Sequence, residues 1–87
     1  MNQSILFSDD LTVDLDNQCV RFSAQQMGNL INCLVSFSWL EEESGEPVCS
    51  QEKACEIFNQ LRFDIEDTAE ALIEDEEFNA SGEIEIS

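Results

Sequence analysis

Eighty-seven residues carry 20 Asp and Glu against 3 Lys and Arg, with no histidine, for a formal charge of −17 at neutral pH. Three bases cannot form a phosphate-binding patch, so direct recognition of DNA or RNA is excluded, and an anionic membrane surface repels the chain. The length allows one domain, residues 1–87, with a modest core, and the 43% apolar content belongs to a folded protein rather than a disordered acidic tail.

Ser4 to Phe7 is a short apolar run that reads as a first or edge strand. Asp9–Asp16 follows, with Leu11, Val13 and Leu15 alternating against acids and Thr12; its turn-forming Asp14-Leu15-Asp16-Asn17 predicts a loop with at most a short strand. Cys19–Ala24 and Leu30–Val35 are β-rich runs around Met27-Gly28-Asn29, which is a hairpin signal. Pairing Gln25 with Leu30 sets Ala24 opposite Ile31, Phe22 opposite Cys33 and Val20 opposite Val35. Those six share one apolar face, because side chains alternate with a period of two. Cys19, Arg21, Ser23, Asn32, Leu34 and Ser36 take the other face, and a one-residue slip would destroy the agreement.

Ser38 with Glu41 three residues later is a capping-box pattern, predicting a short helix over 38–44 that ends at Ser44-Gly45. From Ser50 to Glu77, Ala54, Ile57, Phe58, Leu61, Ile65, Ala69, Leu72 and Ile73 recur at helical spacing and form one stripe. A straight helix of that length would run about 42 Å, against a diameter of roughly 30 Å for a compact chain of this size. It must bend, break or project. Phe63 lies on the wrong side for the stripe, so Arg62-Phe63-Asp64 is the expected break, or else Phe63 is an outer contact for a second subunit. Gly82–Ile86 closes the chain as a short strand, Ile84 and Ile86 facing inward. The order predicts an α+β fold: a small antiparallel or mixed sheet with a central hairpin, and one short and one long helix packed on it.

The N-terminal MNQSILFSDD lacks a basic region, and no stretch is apolar for long enough to span a bilayer, so neither signal peptide nor membrane helix is expected. A cytoplasmic location follows, with Cys19, Cys33, Cys49 and Cys55 as reduced thiols. Their spacing contains no close pair and there is no histidine, so no metal site or cofactor is expected. Cys33 reads as a buried structural thiol. A cysteine nucleophile needs a base or positive surroundings, which this chain lacks; Cys49, just ahead of the long helix, is the least unfavourable candidate.

Carboxylates are too abundant to mark an acid–base pair, and Asp10-x3-Asp14-x-Asp16 lacks the glycine and closing glutamate of a calcium loop. Charge is concentrated in residues 64–87, with ten acids and no base (net −10), against ten acids and three bases in residues 1–63 (net −7). Glu66, Asp67, Glu70, Glu74, Asp75 and Glu77 form an acidic helix face, either a solvated surface or a contact for a basic partner, up to imitation of DNA phosphates. Arg62 can pair with Glu66 at i,i+4.

A leading Ile5-Leu6-Phe7 strand, Val20-x-Phe22-x-Ala24, Gly28, Ile31-x-Cys33-x-Val35-Ser36, Leu40 and a helix reading Phe58-x3-Arg62-x2-Ile65-x3-Ala69 resemble the YrdB-like family of small uncharacterised proteobacterial proteins. The resemblance spans nearly the whole chain and rests on order and spacing, with no catalytic signature. It implies a free-standing cytoplasmic α+β protein of unassigned activity. Cys33, Arg62 and Ile65 stand at matching positions, with no role attached. The combined expectation is a non-catalytic homodimer, with Phe63, Trp39 or Leu34 in the subunit contact. An acidic adaptor for a basic protein is the alternative, and a cysteine-dependent enzyme the remote third.

Overall fold

A computed structural model describes residues 5–87; Ser4, the expected start of the first strand, lies outside the described residues. The elements are strands β1 (Ile5–Asp14), β2 (Cys19–Gln26) and β3 (Asn29–Ser36), helices α1 (Phe37–Ser44), α2 (Gln51–Gln60) and α3 (Arg62–Glu74), and strand β4 (Ile84–Ile86). The strands form one sheet in the order β1-β2-β3-β4. The first three are an antiparallel meander, and β4 joins β3 in parallel after the helices. The expected α+β class and mixed sheet hold.

The hairpin register is the one the alternation demands. Ala24 pairs with Ile31, Phe22 with Cys33 and Val20 with Val35, and all six side chains are buried. The turn consists of Met27 and Gly28 alone, both at positive φ (53° and 85°). Two left-handed residues give a turn whose twist matches that of the strands it joins. Met27 occupies this conformation without the freedom of glycine.

Residues 9–14 are strand, not loop. β1 runs through the acidic segment, and the register shifts between Phe7 and Leu11, so a bulge absorbs Ser8–Asp10. Beyond it Leu11, Val13 and Asp14 pair with Phe22, Val20 and Cys19. The carboxylates are tolerated because β1 is an edge strand and Asp9 and Asp10 are exposed.

Helix α1 starts earlier than the capping box suggested. Ser36, extended at φ −74° and ψ 153°, is the N-cap, and its Oγ accepts the Trp39 N–H at 3.0 Å. Ser38 sits inside the first turn, leaving Glu41–Glu43 in the second half of the helix instead of at its N-terminus. Phe37 and Leu40 enter the core. Gly45, at φ 75°, ends the helix by donating its N–H to the Glu41 carbonyl, as the Ser44-Gly45 stop predicts.

The long stripe is interrupted at Leu61, one residue before the expected break. There φ is −104° and ψ 15°, and the Leu61 N–H is shared between the carbonyls of Ile57 and Phe58 at 3.0 and 3.2 Å. Helix α2 is capped by Ser50, whose Oγ accepts from the Lys53 N–H. Ala54, Ile57, Phe58, Ile65, Ala69 and Ile73 are buried, and Leu61 and Leu72 pack at the margin. With a radius of gyration of 12.4 Å and a longest dimension of 36 Å, the two shorter helices fit where one of about 42 Å would not.

The core lies between the inward sheet face and the helices. Phe22 joins the layers, its ring edge-on to Phe58 with centroids 5.3 Å apart and tilted against Phe7 at 6.3 Å. Ile84 and Ile86 complete the core from β4, which begins two residues later than Gly82.

Candidate functional site

Cys33 is central in β3, paired with Phe22 on one side and Ile84 on the other, and 1% exposed. Its Sγ–H donates to the Ile31 carbonyl at 3.8 Å, and burial pushes the thiol up to about 12. Buried cysteines with such a titration are protonated and inert. Cys19 points to the outer face, as its register requires, and is nonetheless 4% exposed. The residues between α3 and β4 approach this corner, where Asn17, Leu34, Ser36, Asn79, Ser81 and Glu83 gather near it. Burial also raises its thiol. Cys49 is exposed and Cys55 half-buried, and all four are unpaired.

Among the described residues, Arg21 is the one basic side chain on the outer sheet face. Arg21 lies 3.5 Å from both Asp14 and Glu83. Asp14 in turn accepts the side-chain N–H of Asn17 at 2.9 Å and its backbone N–H at 3.1 Å. These two bonds, with a smaller contribution from Arg21, hold the Asp14 carboxyl below the usual range. Arg62 belongs to the helical layer: its guanidinium lies 3.4 Å from Glu66, donates to Asn59 at 3.3 Å and covers the Phe58 ring at 5.4 Å. The two arginines do not combine into an anion site. Lys53, the remaining base, pairs with Glu46 and Glu56, and the Glu46 contact raises its pKa.

Phe63, Asp67, Glu70 and Glu74 follow one another at four-, three- and four-residue steps along the outer side of α3. Phe63 is 82% exposed, the outer-face alternative of the sequence reading. Asp67 and Glu74 are exposed, while Glu66 and Glu70 are half-buried. Ile65 is on the opposite side, fully buried in the core. Glu77 lies beyond the end of α3 and does not share the stripe. Trp39 is half-buried and packs against the core.

One surface escaped the sequence reading. Leu6, Leu30 and Met27 are 66%, 69% and 84% exposed. They gather at the hairpin end of the outer sheet face, where Leu6 pairs with Gln25 and Gln25 with Leu30. The signal was available: from Phe22 to Leu40 the sequence has no charged residue. Among the described residues, no three His, Cys, Asp or Glu are grouped to hold a metal ion, and no helix is long and apolar enough to cross a membrane.

A family described as protein of unknown function, DUF1488, matches residues 5–86. The chain belongs to this family. A crystal structure of a DUF1488 protein of unknown function from Shewanella loihica PV-4 is similar to it at 43% identity and a TM-score of 0.94. That similarity covers 99% of this chain and 94% of the other, so the whole DUF1488 architecture, from β1 to β4, is common to both. No curated protein matches the chain.

Proposed function

We propose that this DUF1488 protein is a single-domain, non-catalytic interaction protein that assembles as a homodimer. The observation that carries the reading is the exposure of large apolar side chains, Phe63, Met27, Leu30 and Leu6, on a chain whose remaining surface is rich in carboxylates. Leu6, Met27 and Leu30 are grouped at the hairpin end, with Phe63 apart on α3; grouped apolar surface is a mark of a contact, and a chain of this size gains stability from assembly. The burial of Cys33 supports the non-catalytic side of the reading. Free cysteines accord with a cytoplasmic location, and the order and spacing of motifs favour a finer placement among the YrdB-like proteins of proteobacteria. Sedimentation equilibrium at moderate salt is the test: concentration-dependent dimer is expected, and a strict monomer across the micromolar range sinks the homodimer.

A second reading is favoured by one specific arrangement, Phe63 at the head of the Asp67–Glu70–Glu74 stripe. The negative end of the α3 dipole adds to Glu74 and the following Asp75, Glu76 and Glu77. Such a face suits a basic protein segment presenting one apolar residue among lysines or arginines. Co-purification at low and high salt, with Phe63→Ala alongside the wild type, separates the cases. A salt-sensitive partner lost in the variant supports the adaptor, and no salt-sensitive partner removes it.

A further inference from the structure

We draw no further inference here: the strongest candidate, the open polar hollow on the outer sheet face between Thr12, Arg21, Ser23 and Asn32, carries nothing, because Arg21 is already paired with Asp14 and Glu83 and, among the described residues, no buried polar side chain is left unpartnered to point to a ligand.

Discussion

The ring of Phe22 meets the ring of Phe58 edge-on at 5.3 Å, joining the middle of the sheet to the helical layer. Phe58 is 1% exposed and also lies beneath the Arg62 guanidinium, so one side chain supports both the core and the Arg62–Glu66 pair. Phe58→Ala should destabilise the fold by about 3–5 kcal/mol. Urea unfolding monitored by the fluorescence of Trp39 measures this, and a loss below about 1 kcal/mol would mean that the ring pair does not hold the layers together.

Ser36 and Ser38 give a sharper local contrast. Only Ser36 accepts the Trp39 N–H, so Ser36→Ala should cost about 1 kcal/mol, while Ser38→Ala, at an exposed first-turn position, should be close to neutral. Equal losses in the two variants, measured by denaturant midpoint, would restore the capping box over 38–41.

The cysteines should label in order of accessibility. Cys49 is exposed and Cys55 half-buried, whereas Cys19 and Cys33 are buried with raised thiol pKa values. In native buffer near neutral pH, a thiol reagent should modify Cys49 first, then Cys55, and reach Cys33 only at the rate of unfolding. Peptide mapping after timed alkylation checks the order. Early modification of Cys33 would contradict its place in the core.

Acid has two opposing effects. Protonating carboxylates between pH 7 and about pH 5 reduces the self-repulsion of a chain at −17, so the melting temperature in low salt should rise, and the rise should vanish at about 0.5 M salt. Asp14 acts in the other direction. Its folded pKa is depressed by Asn17, so its contribution is complete above the unfolded value near 3.9 and is lost as pH falls through the lower folded value. Lys53 mirrors this at high pH: its raised pKa stabilises below the unfolded value and is lost as pH climbs through the folded one. Melts across pH 3–7 decide between the terms, with Asp14→Asn expected to flatten only the acid limb. No gain at pH 5 in low salt would show that local pairing outweighs global repulsion.

The hairpin and the helical stripe were legible because each carries a redundant signal. Val20, Phe22 and Ala24 agree with Ile31, Cys33 and Val35 in a single register, and six buried residues from Ala54 to Ile73 agree on one face. β1 was not legible past Phe7, because a bulge resets the alternation that the reading relies on and an edge strand accepts acids. Ser36 and Ser38 present the same chemistry two residues apart, and only the direction in which β3 delivers the chain to Phe37 chooses between them. Leu61 fits the stripe too well to announce an interruption. Among the site residues, the exposure of Phe63 followed from its helical phase, whereas the pairing of Arg21 with Glu83 depends on where the segment ahead of β4 returns. Long-range returns leave no local pattern.

The parallel pairing of β4 with β3 also orders events in time. β1, β2 and β3 are neighbours along the chain, and short turns can bring them together early. Cys33 and Ile84 meet only when the whole helical layer between them has been laid down, and loop closure over that span is entropically slower than a hairpin. Until then the Ile84 and Ile86 sites stay open on the flank of β3. Docking of β4 is thus the late step of folding, and intermediates that lack it would display a sticky strand edge that the finished protein hides.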